Sequence, residues 1–256
     1  MENSDSCNAI VPRIFVGTMF CGEAEYKECC QLIAAQEDVV VEHFCLENQS
    51  EYEAHNMLWT QWNVRKANFD LFIKVDADTL IDDPKMFSKI YKEFAQNSRL
   101  TGMQIPLHDY FMDGPVFGLN CFSTKVVFTP AQSKLYADRA DSGHDITYKH
   151  DKVAHLAPAG RHCAYPEDKQ AFHFGLHRMK KNQHENIVKV YRAWQRLGGR
   201  GRLLALYGAA AAVTLHPGHD YADATFNEAF DVFSKDIESP EKLDKLTNFM
   251  IKLGVT

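Results

Sequence analysis

Apolar runs and helical periodicities alternate along the first hundred residues. Residues 11–17 (VPRIFVG) form an apolar run closed by a glycine, which predicts a first strand. Residues 23–35 predict a helix with acids in its first turn, where the helix dipole favours them. Residues 38–46 (DVVVEHFCL) predict a second strand and residues 47–50 a polar break. Residues 51–66 predict a helix with Trp59 and Trp62 on one face, and residues 70–75 (DLFIKV) a third strand, apolar on both faces except at Lys74. Strands that alternate with helices build βαβ units, so the pattern predicts an α/β fold with a mainly parallel sheet flanked by helices.

Asp82-Asp83-Pro84 reads as a helix entry, followed by Met86, Phe87, Ile90, Tyr91 and Phe94 at helical spacing. Residues 100–107 and 116–123 predict strands separated by an acid-rich loop at 108–114. Residues 125–140 predict a helix broken near Pro130, residues 144–158 helix or mixed structure, and residues 159–166 a loop. From Glu185 onward the pattern is helical, with breaks at Gly198-Gly199, Pro217-Gly218 and Ser239-Pro240. The shift near residue 180 suggests a first unit over residues 1–181. Residues 182–256 would then be a helical extension that packs on it or mediates association.

Composition narrows the classes of partner. The 256 residues are 45% hydrophobic and 24% charged, as in a globular chain that can bury a core without a stabilising metal or disulfide. A formal net charge of −6 argues against a nucleic-acid protein held by a broad basic surface. The seven cysteines are odd in number and form no C-x-x-C pair, which suits free thiols in a reducing, cytoplasmic setting. The polar, acidic first ten residues do not read as a secretory signal. Arg192, Arg196, Arg200 and Arg202 interleave with apolar residues. That pattern fits a packed helical appendage or homodimer contact better than peripheral attachment to a membrane, the other arrangement it admits.

The sharpest chemical feature is Asp76-Ala77-Asp78, directly after the strand LFIKV. Ligands of open α/β sheets bind at the carboxyl edge, where a strand so ended places its acids. Carboxylates there can share a Mn²⁺ or Mg²⁺ whose remaining ligands are water and substrate phosphates. The plainer alternative is a solvated acidic turn. His173 and His177 are four apart and can share a helix face, as metal ligands or as packed ring residues. Asp145 follows Gly143-His144, as a helix cap or as a base. Asp109 and Asp113 suit hydrogen bonds to a ligand's hydroxyls or a solvated turn. Arg161, Arg178, Lys180 and Lys181 suit a diphosphate or a solvated basic face.

The segment FIKVDADT resembles the D-x-D segment of nucleotide-sugar glycosyltransferases with the GT-A fold. Several features follow in the family's order: the first strand RIFVG, the glycine-containing strand GPVFGLN at 114–120, Gly143-His144-Asp145 at the position of an acceptor base, and AFHFGLHR at 171–178 in place of a late histidine ligand. The resemblance covers roughly residues 11–180. It implies a metal-dependent transferase, inverting, that passes a sugar from a UDP, GDP or dTDP donor to a glycan or lipid-linked acceptor. It implies Val16, Gly17, Thr18, Glu47, Lys74, Asp76, Ala77 and Asp78 around the nucleotide sugar and Mn²⁺ or Mg²⁺ on Asp76, Asp78 and His173. Asp145 would be the base, with Asp113 and Gly118 near the acceptor. The chain departs from the family at the base position, where the first acid of x-E-D is replaced, and it lacks Q-x-x-R-W, a signature of processive synthases. Two other classes remain open: a nucleotidyltransferase, disfavoured because the loop TMFCGE has one glycine and no basic residue, and a non-catalytic assembly protein of similar fold.

Overall fold

The computed structural model describes residues 11–138 and 147–254. The first half follows the alternation of the sequence: β1 (Arg13–Phe20), α1 (Tyr26–Ala34), β2 (Val40–Glu47), α2 (Glu51–Arg65) and β3 (Leu71–Lys74). The polar break before α2 supplies its cap, since Ser50 Oγ accepts the Glu53 amide at 3.2 Å. Then come β4 (Thr79–Leu80), α3 (Met86–Gln96), β5 (Gly102–Asp109), β6 (Gly114–Ser123), β7 (Thr147–Tyr148) and β8 (Arg161–His162). Helices close the chain: α4 (Asp168–Lys180), α5 (His184–Leu197), α6 (Arg200–Thr214), α7 (Ala224–Phe233) and α8 (Pro240–Lys252).

The result is an α/β fold, but the sheet is mixed rather than mainly parallel. Its order is β2-β1-β3-β6-β5-β8-β4, with β7 also paired to β5. β1 pairs in parallel with β2 and β3, whereas β6 runs antiparallel to both β3 and β5. The cause is local. The acid-rich loop is shorter than the residues 108–114 suggest, and Asp109 and Gly114 face each other across a tight hairpin turn. So short a connection admits only an antiparallel partner.

The helix expected over residues 125–140 is absent from the described part, residues 125–138, which run irregularly across α2. Side chains of α2 satisfy this segment's backbone. Trp62 Nε1 donates to the Val126 carbonyl at 3.2 Å and Trp59 Nε1 to the Ala137 carbonyl at 3.3 Å. Asn63 both donates to the Phe128 carbonyl and accepts its amide, at 2.7 and 2.9 Å. β-Branched residues before Pro130 disfavour a helix here, and α2 offers the carbonyls and amides partners instead. Residues 139–146 and the helix or mixed structure assigned to them lie outside the described residues. From 147 the chain forms β7, then a short 3₁₀ segment His150–Leu156.

Two apolar clusters cover the sheet. Phe15, Phe72, Trp59, Trp62 and Phe128 fill the side under α2. The larger cluster joins Ile14, Val16 and Ile73 of the sheet to Phe172, Leu176, Leu204, Leu206, Phe226 and Met250, so α4, α6, α7 and α8 share the core of the sheet. α6 is central to it, being buried from Arg202 to Ala212. α4 and α6 approach so closely that a Cβ on Gly175 would fall 1.6 Å from the Ala205 carbonyl oxygen, and one on Gly208 1.9 Å from that of Phe172. No helix among the described residues is long and apolar enough to cross a membrane.

Candidate active site at the end of the third strand

All four residues of β3 are buried, and the strand continues until the Val75 amide donates to the Gly17 carbonyl at 3.0 Å. The chain then turns through Asp76, Ala77 and Asp78, closed by a bond from the Thr79 amide to the Asp76 carbonyl at 2.9 Å. β4 follows at once and pairs antiparallel with β8, Thr79 opposite His162 and Leu80 opposite Arg161. Gly160 permits this approach, because a Cβ there would lie 2.1 Å from the Leu80 carbonyl oxygen. The Cys163 amide donates to the Asp78 carbonyl at 2.8 Å. Two short strands thus bring residues 78 and 162–163 together at the carboxyl edge of the sheet.

Asp78 is the focus of the group. Its Oδ2 lies 3.6 Å from His162 Nε2 and accepts from Cys163 Sγ at 3.1 Å. Its Oδ1 is buried and has no hydrogen-bond partner among the described residues. On the far side of the imidazole, His162 Nδ1 donates to Asp109 Oδ2 at 2.7 Å. Asp109 is fully buried at the end of β5 and also accepts the Met112 amide at 2.6 Å. It is therefore neither an acceptor-binding loop residue nor a solvated turn. Burial works against a charged His162, but the Asp78 carboxylate, then the bond to Asp109, lift its pKa to about 9. Cys163 stands at φ 51°, in the left-handed region that side chains seldom occupy. Burial and Asp78 push its thiol far up, so it stays protonated.

Asp76 is engaged differently. Its carboxylate forms a close ion pair with Lys74, which is itself buried. Burial alone would raise the Asp76 pKa, but Lys74 holds it below the usual carboxylate range, and Asp76 in turn holds Lys74 charged against burial. Glu23 also reaches this region. Burial, then the charge of Asp78, push its pKa up to about 7.

A cleft of about 1110 Å³ opens over these residues. Of the residues singled out from the sequence, Lys74, Asp76, Ala77, Asp78, Gly118 and His173 line it. Val16, Gly17, Thr18 and Glu47 do not line it among the described residues. Val16 is in the core, Gly17 packs beneath Leu58, Thr18 bonds His43 at 2.9 Å and Glu47 accepts from Tyr26 at 3.0 Å. Neighbouring Asn48 and Gln49 reach the cleft in their stead. Asp113 sits at the β5–β6 turn, ion-paired to Arg196 and 3.5 Å from His108, and does not line the cleft. Asp145 lies outside the described residues. Arg178 and Lys181 line the cleft, whereas Arg161 forms a bidentate pair with Asp82 at 2.7 and 2.8 Å.

The late histidine segment forms one wall without joining Asp78. His173 Nε2 donates to the His219 carbonyl at 2.7 Å, and its ring stacks on Tyr221. Burial pushes its pKa down to about 4, so the ring is neutral. Within the cleft, the described residues whose ligand atoms lie within 4.8 Å of one another are instead Asp78, His162 and Cys163. His162 was not singled out from the sequence. The only signal was the run Arg161-His162-Cys163 in a segment read as loop, with nothing local to show that it would pair with β4. Compared with known proteins, the chain matches no family model and no curated relative.

Proposed function

We propose that this chain is a metal-dependent glycosyltransferase of the GT-A kind, transferring a sugar from a nucleoside-diphosphate donor to a hydroxyl acceptor with inversion. The observation that carries the reading is Asp78: a buried carboxylate oxygen without a partner among the described residues, in the turn after a central strand, opposite an imidazole that a second, fully buried carboxylate orients. Carboxylate–histidine pairs of this form steady metal ligands. The donor set fits a divalent cation, and a carboxylate with an imidazole suits Mn²⁺ better than Mg²⁺. Asp78 and His162 would hold it, with His162 surrendering the proton that now shares the charge of two carboxylates. When bound, the cation supplies positive charge to the departing diphosphate.

The chain's own residues do the rest. Lys74, fixed by Asp76, and Arg178 and Lys181 across the cleft provide charge for phosphate oxygens. Asn48 and Gln49 add polar groups to the cleft lining, and Gly118 of β6 lines it without a side chain. Asp145 remains the proposed base, taking the proton of the acceptor hydroxyl as it attacks the anomeric carbon. A thermal-shift screen of UDP, GDP and dTDP, with and without Mn²⁺, tests the reading. One nucleotide should stabilise the wild-type chain only with the ion, and Asp78→Asn should remove that response. A metal-independent response, or one unchanged in Asp78→Asn, refutes the assignment.

A further inference from the structure

A second group of metal-ligating side chains lies behind the first strand, outside the cleft. On β2, His43, Cys45 and Glu47 alternate onto one face, as residues two apart in a strand must. α1 crosses that face and presents Tyr26 and Cys30, four apart and so on one side of the helix. The ligand atoms of Cys30, His43 and Cys45 all lie within 4.8 Å of one another, and His43 Nε2 is 3.4 Å from Cys45 Sγ. The Tyr26 hydroxyl, on the same side of α1, donates to Glu47 Oε1 at 3.0 Å. None of the three lines the cleft among its described walls.

We propose that Cys30, His43 and Cys45 form a zinc site, a Cys₂His set with a fourth position open to water or another small ligand. Bonds of about 2.3 Å to sulfur and about 2.0 Å to nitrogen at tetrahedral angles put ligand atoms about 3.5–3.8 Å apart. The Cys45–His43 pair already meets that spacing, and the whole set needs a contraction of about 1 Å or less. Two sulfur donors select zinc over Mn²⁺ or Mg²⁺, which separates this site chemically from the cleft. Burial holds His43 below its ordinary pKa, so the ring is neutral as a ligand must be. Loading draws Nε2 from its 2.9 Å bond with the Thr18 hydroxyl, and each thiol gives up its proton to solvent as it binds. The bound ion ties the outermost strand, β2, to α1. The adjacent Cys29 takes no part, because its thiol turns inward to the Asp76 carbonyl at 3.7 Å.

The test is cobalt titration of the reduced, chelator-stripped full-length chain, followed by displacement with zinc. Tetrahedral thiolate coordination gives an intense near-ultraviolet charge-transfer band and visible d–d bands. The bands should saturate at one equivalent, disappear on adding zinc, persist in Cys163→Ser and vanish in Cys30→Ser/Cys45→Ser. Persistence in Cys163→Ser matters because the cleft also carries a thiol. His43→Asn keeps both thiols. It should weaken cobalt binding by more than the roughly 10–100-fold that loss of an outer partner costs. Absence of the bands in the wild type overturns the proposal. So does their survival in a folded Cys30→Ser/Cys45→Ser chain, or their loss in Cys163→Ser alone. If the double variant does not fold, unchanged cobalt affinity in His43→Asn overturns it equally. None of these readouts depends on nucleotide binding or transfer, so the zinc site and the glycosyltransferase reading fail independently.

Discussion

His162→Gln should flatten the dependence of stability on pH. In the folded chain the imidazole lies between Asp78 and Asp109 and is 9% exposed, and its pKa stands at about 9 against an ordinary value of 6.5. A group whose folded pKa is raised contributes stability that is fully present below its unfolded pKa. That stability is lost as pH rises through the folded value. At about 1.4 kcal/mol per pKa unit, the rise is worth about 3 kcal/mol. Wild-type protein in chelator should therefore lose about 3 kcal/mol of unfolding free energy between about pH 6 and about pH 10 beyond whatever His162→Gln loses. Titrations elsewhere are common to both chains and cancel in the comparison. Urea denaturation at the two pH values, read by tryptophan fluorescence, measures the difference; Trp59 and Trp62 are buried reporters in the core. Parallel profiles, with a double difference under about 1 kcal/mol, would refute the account of His162 as a cation clamped between two carboxylates.

Gly160→Ala should push β8 off β4, since its methyl meets the Leu80 carbonyl, costing about 1–3 kcal/mol in thermal melts and weakening Mn²⁺-dependent nucleotide binding by calorimetry. Trp62→Ala removes a fully buried ring and the donor to the Val126 carbonyl, so denaturation should show a loss of about 3–5 kcal/mol. Arg161→Ala breaks only exposed pairs, with Asp82 and Glu28, and the same measurement should move by less than about 1 kcal/mol. Asp145→Asn should slow sugar transfer by roughly 10²–10⁴ while donor affinity holds, with the anomeric configuration of the product reporting inversion.

Hydrophobic periodicity settled where the chain is helix and where it is strand through most of residues 11–123, because it records how each side chain alternates between core and solvent. Glycine and proline marked the breaks at 198–199, 217–218 and 239–240, since they punctuate the backbone wherever it goes. The same local logic put Asp76 and Asp78 at a strand end. It did not reach partners far apart in the chain. Asp78 meets Cys163 across 85 residues, and Asp109 meets His162 across 53, through the pairing of two-residue strands too short to carry a pattern. A hairpin turn, not composition, set β6 antiparallel. Tryptophan and asparagine side chains on α2 replaced the helix that residues 125–138 were expected to form. His173 reached the cleft wall, but its ring nitrogen was taken by the His219 carbonyl, which only the return of a later loop supplies. Cys30, His43 and Cys45 show no ligand spacing in sequence, and became neighbours because α1 lies across the face that β2 turns toward it. Burial of most apolar side chains was written in the local pattern, while the partners of the buried polar groups, Asp109 among them, depended on which distant segments the fold laid side by side.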